Sequence, residues 1–385
     1  MPSFPNGGKD QKNKIGTTLE KAFYKNPWTG FVLMLPLILQ LFGCKKNTVY
    51  NNPPEQPPGA KKWVVSTVAG NGIAGFKDGA ASAAEFKSPI DVAVAADGTL
   101  FVTDFRNHRI RKIADNKVTT LAGNDNFGFV NGNGASAEFK YPYLITVDAN
   151  DNIYVLDEED LRIRKITFSG DVSTYAGTDV PGFLNGDATV AQFQWNKGGI
   201  VTDEQGNIYI GDTFNQRIRK IGINGQVSSV AGSGTEGLKD GDAATAQFRF
   251  PDGIAIDKDG NMYVADAANF LIRKITPDGT VSQFAGNATS GDADGEAGVG
   301  QFNSLGDIAA DSLGNIFLVD NNRVRKVDQH GTITTIAGTL AGYGYVDGDG
   351  SQARFAGLIG LGIDRQGNIF VGDVNNNRIR KISYQ

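Results

Sequence analysis

Two aspartates, Asp91 and Asp307, occupy the same position in two of six sequence repeats, five residues after a phenylalanine that recurs in every repeat. The other four copies of this position carry no charge. Two carboxylates brought face to face in a narrow space could bind a cation or a polar ligand. They are therefore the first candidates for a functional site.

Aromatic residues form the second candidate group. Tyr141, Trp195 and Phe250 lie two residues after the recurrent phenylalanine in consecutive repeats, and Tyr143 follows the first of them. If these rings are exposed on a loop-rich face, they would suit stacking on a sugar or binding of a peptide. The alternative is that they only pack the connecting segments against the strands.

Residues 1–44 are predicted to be a signal peptide. Lys14, Lys21 and Lys25 precede an apolar run from 31 to 43, which is too short to span a bilayer comfortably and has the length of a signal-peptide core. The run ends at Cys44, the only cysteine, in a stretch that resembles the lipobox of bacterial lipoproteins. That resemblance implies a lipid anchor on Cys44 and a location in the bacterial cell envelope, at the periplasmic face or the cell surface. The alternative is an uncleaved membrane anchor.

Residues 45–62 contain a Pro-rich stretch and are predicted to form an extended tether. Because residues 1–44 hold five lysines and two acidic residues, the rest of the chain has a net charge of −8. Nucleic acid is therefore not expected as a partner, since binding a polyanion requires clustered positive charge. A single cysteine also allows no intramolecular disulfide and no cysteine-based metal site.

Residues 63–385 are predicted to be an array of six repeats. An Ala-Gly pair closes each unit, and its glycines are 52 to 55 residues apart, at Gly70, Gly123, Gly177, Gly232, Gly286 and Gly338. Between these marks four short runs recur, rich in β-branched and aromatic residues and bounded by Asp-Gly or Asn turns. Four short antiparallel strands in each unit describe a propeller blade.

The two ends of the array complement each other. Residues 63–69 supply a lone strand before the first unit, whereas the last unit supplies only three strands. We expect the N-terminal strand to pair with the last blade as its outermost strand, which would close the ring and cover an exposed edge. The predicted fold is therefore all-β: a six-bladed β-propeller of four-stranded antiparallel blades.

The units resemble NHL repeats of a bacterial envelope type, in the form with Asp-Gly connectors and Arg-Lys-Ile strands, over residues 63–385. The resemblance implies a six-bladed propeller but no single function, because similar proteins include peptide and RNA binders, sensor domains and a few lyases. Lactonases on similar propellers bind calcium through a Glu, Asn and Asp set, for which Asp91, Asp307 and Asn196 are available but no glutamate is. Zinc-dependent lyases of this kind need several histidines, and only His108 and His330 are present.

An aspartate ends the second strand of every unit, and we interpret it as structural. We expect it to accept backbone N–H bonds in the turn and to pair with the arginine that opens the next strand in five units. The aspartates are Asp104, Asp157, Asp212, Asp266, Asp320 and Asp373, and the arginines are Arg109, Arg162, Arg217, Arg323 and Arg378. The four acidic residues of 157–160 are interpreted as a solvated loop.

Two further recurrent features are also predicted to be structural. The third strands carry Arg-Lys pairs, interpreted as long side chains that cover blade surfaces with their charged ends in water. Connectors of about twenty residues join the blades, and their constant phenylalanine is expected to pack each connector between blades. The Asp-Gly pairs of the connectors lack the alternating acidic ladder of a calcium loop.

The hypothesis for function is a non-enzymatic binding or scaffold module of the cell envelope that holds a glycan, peptide or protein partner on the connector-bearing face. The first alternative is a calcium-dependent, lactonase-like hydrolase or lyase at the central channel, centred on Asp91 and Asp307. The second is a purely structural envelope protein. No Ser-His-Asp set can be assigned, so no residue is predicted to be catalytic, and calcium is the one cofactor left open.

Overall fold

The computed structural model describes residues 61–195, 197–340 and 343–385. The predicted signal peptide, the lipidation of Cys44, most of the tether and Asn196 lie outside the described residues. Within the described ranges, no helix is long and apolar enough to cross a membrane.

Six antiparallel sheets form the blades of a six-bladed β-propeller, as predicted. Strand β1 is Trp63–Ala69. The first blade contains β2 Gly79–Ala80, β3 Pro89–Val94, β4 Leu100–Asp104, β5 Arg109–Ala114 and β6 Lys117–Gly123. The second contains β7 Pro142–Val147, β8 Ile153–Asp157, β9 Arg162–Ile166 and β10 Val172–Ala176. The third contains β11 Gly186–Asp187, β12 Ile200–Thr202, β13 Ile208–Asp212, β14 Arg217–Ile221 and β15 Gln226–Ala231.

The other three blades repeat this order. The fourth contains β16 Gly241–Asp242, β17 Pro251–Ile256, β18 Met262–Asp266, β19 Leu271–Ile275 and β20 Thr280–Ala285. The fifth contains β21 Leu305–Ala310, β22 Ile316–Asp320, β23 Arg323–Val327 and β24 Ile333–Ala337. The sixth contains β25 Gly348–Asp349, β26 Leu358–Ile363, β27 Ile369–Asp373, β28 Arg378–Tyr384 and β1. Short 3-10 turns lie at Ala81–Ala83, Phe105–Asn107, Glu158–Asp160, Thr213–Asn215, Ala267–Asn269 and Val374–Asn376.

The ring closes as expected, since β1 pairs antiparallel with β28. However, β1 is not the outermost strand of the sixth blade. The two-residue strand β25 pairs along its free edge, with Val65 opposite Gly348. The connectors of the first, third and fourth blades add the same short fifth strand through their Asn-Gly or Asp-Gly pair. The blades therefore have four or five strands, and each short strand covers an edge that would otherwise be open.

The apolar core lies between neighbouring blades. One cluster, for example, joins Phe101 and Ile110 of the first blade to Ile145 and Val155 of the second. The constant phenylalanine of each connector has no exposed surface, which confirms its predicted packing role. These residues are Phe86, Phe139, Phe193, Phe248, Phe302 and Phe355.

The prediction for the Arg-Lys pairs is wrong for the arginines. The arginine of each pair is fully buried, whereas the lysine beside it is only partly buried. In the first blade Arg111 binds Asp104 with one terminal nitrogen and Asp78 of the connector with the other, at 2.5 and 2.6 Å. Its guanidinium carbon lies 4.9 and 5.0 Å from the ring centres of Phe76 and Phe86. We call this arrangement the arginine clamp.

Every blade has an arginine clamp, so the partner of the strand-end aspartate also differs from the prediction, except that in the fifth blade Asp320 pairs with the predicted Arg323 as well. Asp104 pairs with Arg111, while Arg109, which opens the strand, pairs with the exposed Asp125. The backbone N–H that Asp104 accepts comes from Lys87, which directly follows the constant phenylalanine. The six clamp arginines are Arg111, Arg164, Arg219, Arg273, Arg325 and Arg380. Each clamp therefore joins a strand end, a neighbouring strand and a connector.

The stretch 157–160 is not the solvated loop that was predicted. Asp157 and Asp160 are 0 and 1% exposed. Asp157 belongs to a clamp, and Asp160 forms ion pairs with Lys140 and Arg162 at 3.1 and 2.7 Å. Only Glu159 is exposed.

The fifth blade has a shorter turn between its second and third strands. In four blades an asparagine of that turn donates to the strand-end aspartate, as Asn107 does to Asp104 at 2.8 Å. In the fifth blade Arg323 donates to Asp320 instead, at 3.1 Å, and forms a second ion pair with Asp292 of the connector. In this blade Arg323 therefore replaces the asparagine of the turn, and Asp292 of the acidic connector neutralises its extra positive charge.

Candidate functional site

The first strands of the blades, β3, β7, β12, β17, β21 and β26, contact one another in a closed ring around the channel. Bulges in these strands present acidic residues at one mouth. In β3, Ile90 and Asp91 lie opposite Thr103 alone, and β17 and β21 have equivalent bulges at Asp252 and Asp307. A bulge adds a residue to one strand and re-aims its side chains. Carboxylates from three blades therefore converge at the connector-bearing mouth.

Asp91 is 1% exposed and links two blades. Its Oδ1 accepts the N–H of Val92 at 2.7 Å, and its Oδ2 accepts the N–H of Ile145 in the second blade at 2.9 Å. Burial raises the pKa of Asp91 to about 7, although both backbone bonds favour the charged form. A Cβ on Gly360 would come within 2.3 Å of the Asp91 carboxylate, so only glycine leaves room at that place.

Asp307 is 8% exposed, and its pKa lies well above the usual range. Burial is the main cause, and the nearby charge of Asp91 adds to it. The structure therefore brings together the two carboxylates that the sequence singled out. A Cβ on Gly253 would come within 2.7 Å of the Asp307 backbone, so this glycine permits the close approach of two neighbouring blades.

Asp252 is the third carboxylate at the mouth, and sequence reasoning missed it. It is 7% exposed, and no hydrogen-bond donor among the described residues reaches its carboxylate. Burial raises the pKa of Asp252 to about 6, partly offset by the positive charge of Lys197. Asp252 is the first residue of its bulge, whereas Asp91 and Asp307 are the second. The sequence comparison used the fifth residue after the constant phenylalanine, and Asp252 is the fourth, so it was not identified.

Two adjoining cavities open at this mouth. The inner cavity, about 130 Å³, is lined by Tyr143, Asp252, Asp307, Asn322 and Tyr343 among others. The outer cavity, about 360 Å³, is lined by the aromatic residues Phe214 and Phe250 and by Lys197, Asp252, Asn303 and Ser304, among others. Asp252 lines both cavities. An apolar wall with a few convergent polar groups is typical of a small-molecule site.

The aromatic candidates do not form one exposed patch. Trp195 and Tyr143 are only 4 and 6% exposed, and Trp195 packs on Phe193 with 5.1 Å between ring centres. Tyr141 stacks on Phe105 at 4.6 Å, away from both cavities. Phe250 and Tyr143 do line the cavities, and Phe214 joins them there. Sequence reasoning missed Phe214 because its repeat position carries no other aromatic residue: the equivalents are Arg106, Glu159, Ala268 and Asn375.

Phe250 has an unusual backbone conformation, with a φ of 54° in the left-handed region. The equivalent residues of the first and sixth blades, Ser88 and Gly357, also have positive φ, at 57° and 80°. The Phe250 N–H donates to the side chain of Gln216 at 2.8 Å, which holds the turn in place. A bulky side chain in this region is strained, and such strain is a reason to suspect a functional role.

Acidic residues in the described part of the chain do not form a metal site of three or more ligands, and neither do histidines. The connector aspartates, for which calcium was considered, bind the clamp arginines instead. Glu158 stands at the rim of the mouth, where burial and the charge of Glu159 raise its pKa to about 7. The mouth therefore presents separate carboxylates from different blades.

The NHL repeat family model matches residues 86–113, from the constant Phe86 through most of β5. The resemblance to NHL repeats is thereby confirmed. Over 289 residues the chain is 27% identical to the protein SUPPRESSOR OF QUENCHING 1, chloroplastic, of Arabidopsis thaliana, covering 68% of this chain and 27% of that protein. It is also 27% identical to Teneurin-3 of Mus musculus, covering 86% of this chain and 14% of that protein. The chain thus spans about a quarter or less of the length of these relatives.

Solved structures with the same fold include an auxiliary nutrient binding protein from Bacteroides thetaiotaomicron. Its TM-score is 0.63 at 17% identity, covering 84% of this chain and 77% of that chain. A gluconolactonase from Xanthomonas campestris has a TM-score of 0.53 at 11% identity, covering 83% of this chain and 89% of that chain. At such identities the likeness shows the propeller fold alone.

Proposed function

We propose that this propeller is a binding protein of the bacterial cell envelope that holds a saccharide at the connector-bearing mouth of its channel. The outer cavity carries the proposal, because its lining combines the rings of Phe214 and Phe250 with polar groups of Lys197, Asp252 and Asn303. An aromatic face packs on the apolar side of a sugar ring, while carboxylate and amide groups bind its hydroxyls. The nutrient binding protein of Bacteroides, with the same fold, is consistent with such a role.

The test is a titration of the purified full chain with a panel of oligosaccharides, followed by calorimetry on the best one. We expect Phe214→Ala and Phe250→Ala to weaken its binding about tenfold or more, since each removes a stacking surface. Phe168→Ala is the matched control, because Phe168 is 45% exposed, close to the 43% of Phe214, but lies in the turn at the other end of a blade. Equal affinities for all three variants would refute the site.

The envelope location is part of the same proposal and rests on residues 1–44. Their apolar run and the single Cys44 support export and lipid attachment. Metabolic labelling with a fatty acid should mark the protein, and Cys44→Ser should abolish both the label and membrane association. If the Cys44→Ser variant stays in the membrane fraction, an uncleaved anchor replaces the lipid anchor.

The alternative of a hydrolase or lyase has one supporting observation. Asp91 and Asp307 are buried close together with raised pKa values, which is how a carboxyl group is kept protonated for acid catalysis. The calcium-dependent form has less support, because the described carboxylates do not converge as metal ligands. Assays of lactone hydrolysis with and without calcium distinguish an enzyme from a binding protein. If the protein hydrolyses a lactone and Asp307→Asn loses this activity, the enzyme is favoured over the binding protein.

A further inference from the structure

The inner cavity lies close to four acidic residues. Asp91, Asp252, Asp307 and Glu158 all act on Tyr143, whose pKa is raised by burial first and then by these four carboxylates. Lys197 is the basic residue of the described chain that lines the cavity, and it is exposed. The buried aspartates at the ends of the second strands are paired with arginines, so the mouth differs from those sites.

Asp252 is the reason why this mouth differs from an ordinary acidic surface. It is more than nine-tenths buried, lines the inner cavity, and receives no hydrogen bond from a described residue. A buried ionised carboxylate without a partner is costly, so an unpaired one in a cavity indicates a group that binds there. That group must be a donor and is best positively charged.

The shape of the acceptors indicates the kind of cation. Both oxygens of Asp91 already accept backbone N–H bonds, and Asp252 and Asp307 come from two different blades. A guanidinium has five donors, and where it bridges two carboxylates in the arginine clamp, backbone carbonyl oxygens satisfy its other donors. A compact ammonium has only three donors, which single oxygens of different carboxylates can satisfy. Calcium needs six to eight oxygen ligands, and the described carboxylates form no such cluster.

We propose that the inner cavity is a subsite for an ammonium group, so that the ligand is an amine-bearing molecule such as an amino sugar. This inference rests on the proposed function, because the outer cavity then holds the remainder of the same ligand. The cavity of about 130 Å³ admits a small cationic group. Tyr343, 73% exposed at the rim, presents an aromatic ring to a cation entering there.

The probes are propylammonium and 1-propanol, which differ in the charged group, titrated by ligand-observed NMR into the full chain at pH 8 and low salt. We expect propylammonium to bind at least tenfold more tightly, and Asp252→Asn to remove the difference. Asp259→Asn is the control, because Asp259 is an exposed acid in a turn of the same blade. Equal binding of the two probes, or a preference that Asp252→Asn leaves intact, would overturn the subsite.

A second measurement needs no variant. Protonation of Asp252, Asp91, Asp307 and Glu158 between pH 8 and pH 4 should abolish the preference for propylammonium. A preference that persists unchanged at pH 4 would also refute the subsite.

The two proposals fail separately. If an oligosaccharide binds through Phe214 and Phe250 but the amine shows no preference, the ammonium subsite is wrong and the saccharide site stands. If the amine binds through Asp252 and no saccharide in the panel binds, the subsite stands and the proposed saccharide function is wrong. A comparison of the affinities for glucosamine and glucose then tests both cavities, because the two sugars differ in one amino group.

Discussion

Arg380 and Asp373 face each other inside the sixth blade, with Nη1 of the arginine 2.6 Å from Oδ2 of the aspartate, and neither side chain reaches solvent. The guanidinium also pairs with Asp347 at 2.6 Å and donates to the carbonyl oxygens of Arg354 and Val346. A buried ion pair stabilises a fold only when its remaining donors are also satisfied. Here the connector and the strand end supply the acceptors together.

Breaking the clamp should therefore be costly. Arg380→Leu leaves Asp373 buried without its cation, and we expect the free energy of unfolding to fall by about 3 to 5 kcal/mol. Lys381→Ala, at the partly buried neighbour, should cost less than about 1 kcal/mol. Urea denaturation of both variants measures the difference. Similar losses in the two would show that the clamp adds little to stability.

Ring closure should be sensitive to the first strand. Val65 is 1% exposed and pairs with Ile382 of β28, so Val65→Ala should lower the free energy of unfolding by about 2 kcal/mol. Ser66→Ala, at an exposed position of the same strand, is expected to be nearly neutral. Thermal melts of both variants make the comparison. A neutral Val65→Ala would contradict a closure that depends on β1.

Asp252 should make stability depend on pH. Its pKa is about 6 in the folded chain against 3.8 as the reference, so ionisation opposes folding. The penalty is absent below pH 4, grows as the pH rises, and is complete above about pH 7. Asp252→Asn should therefore stabilise the ligand-free protein at pH 8 by up to about 3 kcal/mol and have little effect at pH 4. Unfolding curves at both pH values test this, and a gain of equal size at both would rule out the ionisation.

Phe250 should contribute binding rather than stability. A glycine at its positive φ relieves strain of about 1 kcal/mol, which offsets the lost contact with Phe214. Phe250→Gly should thus melt within a few degrees of the parent while losing saccharide binding. Phe214→Gly is the comparison, because Phe214 has no positive φ and gains no such relief. A large drop in melting temperature for Phe250→Gly would mean that its ring is needed for packing.

The number of blades and the place of closure could be predicted from the sequence, because each depends on counting repeats. The buried arginines could not, since charge alone indicated exposure. One signal was present: the strand-end aspartate occurs in six repeats, but the arginine that opens the next strand is Leu271 in the fourth. The strand-end aspartate needs a positively charged partner in every blade. Only the arginine of the Arg-Lys pair occurs in all six repeats, and it is this arginine that forms the clamp.

The site was predictable only in part. Asp91 and Asp307 stood out because they differ from the other copies of one position, and the structure brings them together. Asp252 was not predicted, because a bulge presents two successive residues at the mouth and only the second was compared between repeats. A bulge depends on how two strands pair, which the sequence of one strand does not reveal. For Trp195 the sequence left exposure and packing both open, and the structure buries its ring in the core between blades.

The pairing of β1 with β28 also sets the order of events during synthesis. Val65 and its partner Ile382 are 317 residues apart, so the sixth blade stays incomplete until nearly the whole chain has been made. Such distant contacts form slowly, because a long loop must close before they stabilise anything. The first strand must wait unpaired while five blades are produced, so until the last strand is made its open edge is available for pairing with another chain.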